Sequence, residues 1–280
     1  MAVAITIDQV SSMRSLLAVP GHRPDRFNRA YASGADGVMI DLEDAVAPEE
    51  KDDARSNVAA WLQTHRSAII RINDTTTRWH LDDVRILQPY QCIVVLPKAS
   101  DSNEISNLRM KLNAESYIVP LIETARGVVE SWSICQQPMV ARVIFGNVDF
   151  GLQLGVSPTE RLAMFYARSM LPTVSAAAGL APPIDGLTTA IRDEKTLKDD
   201  LDHAARLGFG GKLCLHPNQV ATTNSTFTPS IEDIKWARSV IDMAKEESAT
   251  VLNGEVVGKP VIERARLLIA RAERTVDQVI

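Results

Sequence analysis

The sequence lacks any apolar run of the roughly 20 residues needed to span a bilayer. Its first residues, MAVAITIDQVSSMR, contain an acid and no basic stretch, which does not fit a secretory signal. Lys and Arg never form a cationic run, and the net charge of -5 is spread along the chain. A nucleic-acid-binding surface is therefore not expected. We expect a cytoplasmic protein with neither a membrane partner nor a nucleic-acid partner.

Cysteine is also scarce. Cys92, Cys135 and Cys214 are far apart, and each lies in an apolar segment. Disulfide frameworks and cysteine-based metal sites use paired or clustered cysteines. We therefore expect three buried, reduced thiols without a structural or metal-binding role.

Eight short runs rich in Val, Ile and Leu recur at fairly even spacing along the chain. They are nearly continuously apolar instead of alternating, which is typical of parallel strands covered on both faces. The runs are RSLLAVPG (14–21), DGVMIDLED (36–44), SAIIRIN (67–73), QCIVVLPKAS (91–100), ESYIVPLIET (115–124), ARVIFGNVDFG (141–151), APPIDGL (181–187) and GKLCLHPNQ (211–219).

Helix-like segments lie between these runs. SPTERLAMFYARSM is expected to have Ser157 as its N-cap and Pro158 at its first helical position. DEKTLKDDLDHAARLG is expected to end at Gly208. Eight strand–helix units favour an α/β fold of the (β/α)8 TIM-barrel type. A doubly wound open sheet is the alternative, although no G-x-G-x-x-G follows the first run.

The pattern of strand–helix units ends near Glu247. A turn-rich segment follows, and then a helix that is expected to start near Pro260. We therefore predict that residues 1–248 form a TIM-barrel catalytic domain. Residues 249–280 would form a C-terminal helical arm, which can pack on a neighbouring subunit.

Charged and polar residues end most of these apolar runs. In a parallel barrel the carboxyl ends of all strands emerge on the same face, where barrel active sites lie. A single acid at such a position is more often a helix cap or a solvated loop residue, so the argument depends on the whole set. The set comprises Asp41, Glu43, Asp44, Arg71, Asn73, Lys98, Glu123, Asn147, Asp149 and His216.

Glu123 and Asp149 end adjacent runs, so they can face each other across a few ångströms. Two carboxylates that close repel by roughly 4 kcal/mol at an effective dielectric of 20. A shared proton or a bound cation relieves this repulsion. Because no His or Cys lies beside them in sequence, oxygen ligation suits Mg²⁺, or alternatively Mn²⁺, better than Zn²⁺.

An arginine and a glycine-rich turn accompany these two acids. Arg71 offers a planar fork for a substrate carboxylate or a developing oxyanion. The turn FGNVDFG, which contains Gly146, allows backbone amides to approach the same anion. The residues that we assign to substrate binding are Arg71, Gly146, Asn147, Lys98 and Arg14.

At these residues the sequence resembles the citrate lyase beta-subunit-like branch of the HpcH/HpaI aldolase/citrate lyase superfamily. The resemblance covers nearly the full length, and its motifs occur in the same order. They are RSLLAVPGHRPDRF, ASGADGVMIDLEDAVAPEEKDDAR, RIN, VVLPKAS, PLIETARGV, FGNVDFG, LGFGGKLCLHPNQV and FTPSIEDIKWA.

The resemblance implies a Mg²⁺-dependent barrel enzyme that cleaves or forms a carbon–carbon bond in a 3-hydroxy-acyl-CoA thioester. Substrates of the family are of the citryl, malyl or citramalyl type, and the products are acetyl-CoA and a 2-oxo acid. CoA is thus part of the substrate, and the family is typically homo-oligomeric, often trimeric.

The same resemblance implies roles for individual residues. Glu123 and Asp149 match the metal ligands, and Arg71 matches the arginine that binds the substrate carboxylate. Arg23 and His216 are candidates for contacts with CoA, although a solvated arginine and a hydrogen-bonded rim histidine are equally compatible with the pattern. The residues expected to orient metal-bound water are Asp41, Glu43, Asp44 and Asn73.

One departure from the family concerns the C-terminal arm. Several relatives carry an acid–base Asp two residues before a Pro, whereas this sequence has Gly258 in NGEVVGKP. Glycine cannot transfer a proton, so another group does so or the malyl-type reaction is weak. Two alternatives therefore stay open: a metal-dependent aldolase acting on a free hydroxy-oxo acid, and a catalytically idle metal-binding homologue.

Overall fold

Eight parallel strands close into a barrel. The computed structural model describes residues 6–244, 250–252 and 255–277. The strands pair in chain order and β8 pairs with β1, so the barrel has no open edge. The strands are β1 (Ser15–Pro20), β2 (Gly37–Asp41), β3 (Ile69–Arg71), β4 (Ile93–Leu96), β5 (Tyr117–Ile122), β6 (Ile144–Phe145), β7 (Ile184–Asp185) and β8 (Gly211–Cys214). Each strand lies within one of the eight apolar runs, so the predicted TIM barrel is confirmed.

Helices precede, separate and follow the strands along the chain. They are α1 (Ile7–Ser12), α2 (Phe27–Tyr31), α3 (Lys51–His65), α4 (His80–Leu87), α5 (Ser102–Arg109), α6 (Ala125–Val129), α7 (Ser131–Cys135), α8 (Asn147–Leu154), α9 (Arg161–Ala177), α10 (Glu194–Leu207), α11 (Val220–Phe227), α12 (Ile231–Ala244) and α13 (Lys259–Asp277).

Two helix boundaries test the capping signals. Gly208 ends α10 with a φ of 96°, a left-handed conformation that glycine adopts without steric cost, as predicted. The predicted N-cap of α9 is wrong. The hydroxyl of Ser157 instead contacts Thr159 within a preceding turn, and the carboxylate of Glu160 caps the helix by accepting the amide of Leu162.

The barrel interior is a cluster of buried aliphatic side chains to which every strand contributes. Because side chains alternate along a strand, the residues between these positions face the helices. One member from each strand, in chain order, is Leu16, Met39, Ile69, Ile93, Val119, Ile144, Ile184 and Leu213.

The amino end of the barrel is closed by α1. Val10 and Met13 belong to the interior cluster. Arg142, which is fully buried, donates hydrogen bonds to the carbonyl oxygens of Val10 at 3.2 Å and Met13 at 2.6 Å. The amino end is therefore filled by packed side chains, and the open face is the carboxyl end.

The three cysteines are buried and form no disulfide. Burial raises the pKa of Cys92 and of Cys135 to about 12, which keeps both thiols protonated at neutral pH. Burial also raises the pKa of Cys214. The prediction of buried, unpaired thiols is confirmed.

Residues 1–224 and 225–280 form two compact units. In the second unit, α12 and α13 pack through Ala237, Val240 and Ala265, and β9 (Thr250–Leu252) pairs antiparallel with β10 (Glu255–Val257). The predicted limits 1–248 and 249–280, and the packing of the arm on a neighbouring subunit, stay predictions; part of that arm lies outside the described residues. Among the described helices, none is both long and apolar enough to span a membrane.

Candidate active site at the carboxyl end of the barrel

Three charged residues end strands with side chains on the inner side of the barrel. Met39, Ile69 and Leu121 belong to the interior cluster of β2, β3 and β5. Side chains two residues further along a strand point to the same face. Those positions, at the open carboxyl end, are Asp41, Arg71 and Glu123.

Arg71 is the centre of an ion-pair cluster. Its Nε and Nη2 atoms donate to the two carboxylate oxygens of Asp41 at 2.7 and 2.6 Å. Its Nη1 atom lies 3.0 Å from Oε2 of Glu43 and 3.4 Å from Oδ2 of Asp44. Burial alone would raise the pKa of Asp41, but Arg71 and the amides of Glu43 and Ala45 outweigh burial and keep it below its usual value.

Glu43 bridges Arg71 to a second cation, the ammonium of Lys98, which contacts Oε1 of Glu43. Burial raises the pKa of Glu43 to about 7, and Asp44 adds to the rise, while Arg71 and Lys98 oppose it. The structure therefore brings five of the predicted residues together in one network of opposite charges: Asp41, Glu43, Asp44, Arg71 and Lys98.

Glu123 lies beside this network. Lys98 has a φ of 51°, a left-handed conformation that is uncommon for residues other than glycine, and its amide donates to Oε1 of Glu123 at 2.8 Å. Burial raises the pKa of Glu123 to about 8, and the charges of Glu43 and Asp149 add to the rise, against the opposing effects of Arg71 and the Lys98 amide. Glu123 is thus a buried carboxyl group that resists ionisation.

Gly146 leaves the space that the Glu123 carboxylate occupies. A Cβ atom at Gly146 would lie 2.4 Å from Cβ and 2.6 Å from Oε2 of Glu123, closer than van der Waals contact permits. The amide of Gly146 donates to the carbonyl of Ile122 at 2.9 Å. This amide is therefore engaged within the barrel, and substrate binding by the backbone amides near Gly146 stays a prediction.

Replacing Gly146 with alanine is expected to displace Glu123 and to lower kcat by about 100-fold, because catalytic groups tolerate little misplacement. Overpacking should also lower the free energy of unfolding by about 1–3 kcal/mol. Steady-state kinetics and urea unfolding would measure both effects. The matched control is Gly179→Ala: Gly179 has a φ of 72° and open space around it, so that variant carries backbone strain without touching Glu123. Equal activity of the two variants would contradict this role of Gly146.

Asp149 lies in the first turn of α8, directly after β6, and is partly buried. Its charge raises the pKa of Glu123, so the two carboxylates interact across the barrel mouth. A divalent cation between them would favour the ionised form of Glu123, and the all-oxygen donor set suits Mg²⁺. Within residues 6–244, 250–252 and 255–277, no three His, Cys, Asp or Glu side chains are grouped for metal binding. A Mg²⁺ held by this pair of carboxylates would keep positions for water and substrate oxygens.

Lys51, which the sequence analysis missed, supports the network through the loop that carries Glu43. Lys51 is buried, and its ammonium donates to the carbonyl oxygens of Leu42 and Glu43 and to Oδ1 of Asn73, each at 2.7 Å. Burial lowers the pKa of Lys51 despite its acidic neighbours. Lys51 thereby fixes the loop that carries Glu43. Its local sequence, EEKDD, gives no sign of burial, because such charge-rich stretches are usually solvated.

Two predicted polar residues are engaged in holding loops. The amide group of Asn73 donates to the carbonyl oxygen of Leu42 and to Asp83, and its oxygen accepts from Lys51, so Asn73 braces the same loop from a buried position. Asn147 exchanges hydrogen bonds with the backbone of Leu187 at 2.8 and 3.1 Å. Those bonds hold the Asn147 side chain against the segment after β7, and a contact of Asn147 with substrate stays a prediction.

The remaining predicted residues lie apart from the network. The assignment of Arg14 to substrate binding is wrong: Arg14 precedes β1 at the closed amino end, where it pairs with Asp36 at 2.7 Å. Arg23 is partly exposed and pairs with Asp25. The Nδ1 atom of His216 accepts the amide of Asn218 and caps the turn Pro217–Gln219. Contacts of Arg23 and His216 with CoA stay predictions.

A closed parallel barrel with carboxylates and an arginine at its carboxyl end defines a TIM-barrel enzyme with an oxygen-rich site. The model of the HpcH/HpaI aldolase/citrate lyase family matches residues 14–217. A citrate lyase subunit beta-like protein from Deinococcus radiodurans is 32% identical over 92% of this chain and 96% of its own length. The (3S)-malyl-CoA thioesterase of Cereibacter sphaeroides is 30% identical over 95% of this chain and 96% of its own length.

The solved structures give the same result. CitE from Mycobacterium tuberculosis, in complex with magnesium, acetoacetate and coenzyme A, superposes with a TM-score of 0.81 at 29% identity, covering 94% of this chain and 99% of CitE. The protein belongs to the HpcH/HpaI aldolase/citrate lyase family. The predicted family and the predicted enzyme class, a lyase, are confirmed.

Proposed function

We propose that this protein is a Mg²⁺-dependent carbon–carbon lyase that cleaves a 3-hydroxy-acyl-CoA thioester of the citryl, malyl or citramalyl type into acetyl-CoA and a 2-oxo acid. The interacting pair Glu123 and Asp149, beside Arg71 at the barrel mouth, carries the proposal. Two relatives support it, because one is named for malyl-CoA and the CitE complex contains magnesium and coenzyme A.

Glu123 and Asp149 are the proposed ligands of Mg²⁺, and Mn²⁺ would accept the same oxygen donors. When bound, the ion supplies Lewis-acid stabilisation for the negative charge that develops on the substrate oxygen. Arg71 would bind the substrate carboxylate through Nη1, whose contacts with Glu43 and Asp44, at 3.0 and 3.4 Å, are longer than those that Nε and Nη2 make with Asp41. Asp41, Glu43 and Asp44 would hold Arg71 and Lys98 in position for this contact.

The reaction requires two proton transfers. The substrate hydroxyl loses a proton as the carbon–carbon bond breaks, which leaves the 2-oxo acid. The thioester enolate then gains a proton and becomes acetyl-CoA. Gly258, at the start of α13, has no side chain for either transfer, so the proton donor must be another group.

The affinity for Mg²⁺ is expected to rise with pH. Because the pKa of Glu123 is about 8, this carboxyl is mostly protonated at pH 7 and must release its proton when it binds a cation. The association constant should increase by up to about tenfold per pH unit below pH 8 and level off above it. Calorimetric titrations of Mg²⁺ in buffers of different ionisation enthalpy would measure both the affinity and the proton release.

The metal-free protein should show the linked effect on stability. The folded-state pKa of Glu123 lies above the unfolded value, so the free energy of unfolding should fall as pH rises towards and through about 8. Addition of Mg²⁺ should restore the free energy of unfolding. In Glu123→Gln, both the stability loss and the proton release should be reduced. An Mg²⁺ affinity that is constant between pH 6 and pH 8 would contradict the assignment.

The products distinguish this function from its alternatives. Chromatography of reactions with malyl-, citramalyl- and citryl-CoA should show acetyl-CoA and a 2-oxo acid appearing in equal amounts, only when Mg²⁺ is present. Release of free CoA with the intact hydroxy acid would indicate a thioesterase, as the Cereibacter sphaeroides relative is named. Cleavage of a free hydroxy-oxo acid without any CoA thioester turnover would indicate an aldolase. No turnover at all, with Mg²⁺ still bound, would indicate an idle homologue.

We also propose that the protein is a cytoplasmic homo-oligomer, with a trimer as the expected form and without nucleic-acid or membrane partners. Large apolar side chains on α8 and α9 are exposed, which is typical of an association surface. They are Leu152, Leu162, Phe165 and Tyr166. Light scattering behind size exclusion should give a mass of about three chains, whereas the 30.7 kDa of a single chain would contradict the proposal.

A further inference from the structure

A polar cavity of about 60 Å³ lies outside the barrel wall. It is lined by Lys212 of β8, by the segment that follows β7 and by the helices α9 and α10. Ile184 and Leu213 face the barrel interior, so their neighbours Asp185 and Lys212 face this layer. None of Glu123, Asp149 and Arg71 lines the cavity, which is therefore distinct from the proposed active site.

The buried end of the cavity carries more positive than negative charge. Arg168, from α9, lies 3.0 Å from Oδ1 of Asp185, and the ammonium of Lys212 lies 3.1 Å from Oδ2 of the same carboxylate. All three side chains are at least nine-tenths buried. Burial would raise the pKa of Asp185, but the two cations outweigh burial and lower it. Two buried cations thus share one buried carboxylate, which gives these three groups a net charge of +1. The guanidinium of Arg168 also lies over the ring of Phe209, 5.3 Å from its centroid.

Donor groups at this end also have no hydrogen-bond partner among the described residues. The Nε atom of Arg168 is buried without one, and its Nη2 atom contacts Asp185 without hydrogen-bond geometry. The Nε2 atom of His203, which also lines the cavity, is buried without a partner and donates or accepts according to its tautomer. Buried polar atoms of this kind are rare in folded proteins unless water or a ligand completes them.

The outer end of the cavity is lined by one carboxylate, that of Asp200, which is partly exposed to solvent. Arg161 pairs there with Asp200 at 3.5 Å and with the exposed Asp199 at 3.0 Å. Asp200 also accepts a hydrogen bond from the hydroxyl of Thr188. Water screens these charges, whereas the excess positive charge of Arg168 and Lys212 is desolvated and therefore acts more strongly. The volume suits one tetrahedral oxyanion or about two water molecules.

We infer that this cavity binds a small oxyanion of the phosphate or sulfate class, with Arg168 as the hydrogen-bond donor and Lys212 as the source of charge. A guanidinium fork matches the geometry of such oxygens. The ion has two sources, either free in solution or the terminal 3′-phosphate of coenzyme A. The cavity wall includes Asn147, the first residue of α8, so an occupant would lie against the helix that carries Asp149.

The first test locates the ion in the unaltered protein. Crystals of the full chain are soaked in selenate, whose selenium scatters anomalously. The expected result is a selenium peak within hydrogen-bond distance of Arg168. The selenate concentration must saturate binding in solution or at other sites. A cavity that then contains only ordered water would overturn the inference.

The second test compares two conservative variants by calorimetric titration with inorganic phosphate. Arg168→Lys keeps the charge beside Asp185 but removes Nε and the planar fork, so phosphate affinity should fall at least tenfold. Arg85→Lys is the matched control, because Arg85 is an exposed residue of α4 paired with Asp82, and it should bind phosphate like the unaltered chain. Equal affinity in both variants would overturn the inference.

Competition identifies the source of the ion. If coenzyme A displaces phosphate and 3′-dephospho-coenzyme A does not, the cavity holds the 3′-phosphate. If neither displaces phosphate, the cavity binds the free ion. If both displace it equally, phosphate binds at the barrel mouth instead, and the inference fails even when the proposed lyase function stands.

Discussion

Replacement of Asp149 by alanine is expected to lower kcat by about 10³-fold or more and to abolish measurable Mg²⁺ binding at millimolar concentration. The proposed ion has only two protein ligands, so the loss of one removes the several kcal/mol of Lewis-acid stabilisation that the reaction needs. The change also removes a charge that raises the pKa of Glu123, so this pKa should fall. Steady-state kinetics, Mg²⁺ calorimetry and a pH titration of Glu123 by isotope-edited infrared spectroscopy would measure the three effects.

The matched controls separate metal binding from a general loss of charge. Asp149→Asn keeps the shape of the side chain and should lose activity almost as completely, because an amide is a weak Mg²⁺ ligand. Asp202→Asn removes an exposed carboxylate of α10 that pairs with Lys198 and should leave kcat unchanged. Full activity of Asp149→Ala would refute the proposed metal site.

Replacement of Arg71 by methionine is expected to lower the free energy of unfolding by about 3–5 kcal/mol, because it leaves the buried carboxylate of Asp41 without its cation. Activity should also be lost, because Nη1 of Arg71 is the proposed donor to the substrate carboxylate. Urea unfolding of the metal-free protein would measure the first effect, and turnover of the preferred CoA thioester the second.

The pH dependence of the free energy of unfolding tests whether the loss in Arg71→Met comes from the charge of Asp41. In the unaltered protein the pKa of Asp41 is lowered, so its stabilisation is present above the unfolded pKa of about 3.9 and is lost as pH falls through the folded value. The difference between Arg71→Met and the unaltered protein should therefore shrink in acid. Arg85→Met, which breaks an exposed pair on α4, should cost less than about 1 kcal/mol. If Arg71→Met loses no more unfolding free energy than Arg85→Met does, the role of the Arg71–Asp41 pair is contradicted.

The strands of the barrel were predictable because burial on both faces leaves a direct trace in composition. Ile93–Leu96 and Tyr117–Ile122, for example, consist almost entirely of apolar residues, and both are strands of the closed barrel. The end of α10 at Gly208 was equally predictable, because glycine is favoured where the backbone turns left-handed. The prediction of Ser157 as an N-cap failed because the residue types that cap helices also form short turns before helices.

The candidate site was predicted less completely than the fold. The sequence located Asp41, Arg71 and Glu123 at strand ends, and the structure brings them to one network. The assignment of Arg14 did not take account of chain order: Arg14 precedes β1, and a residue before a strand of a parallel barrel lies at the amino end, opposite the site. The sequence did not show that Gly146 and Asn147 form hydrogen bonds with Ile122 and Leu187, because these contacts depend on the packing of neighbouring strands.

The sequence by itself determined the parallel strands and the acids and arginine that follow them, because strand period and residue chemistry are local properties. Tertiary structure decided which of these groups interact: it buried Lys51 beneath Glu43, directed Arg71 onto Asp41 and set Glu123 against Gly146. It also raised the pKa values of Glu43 and Glu123, because desolvation and repulsion between carboxylates from different strands exist only after the barrel has closed.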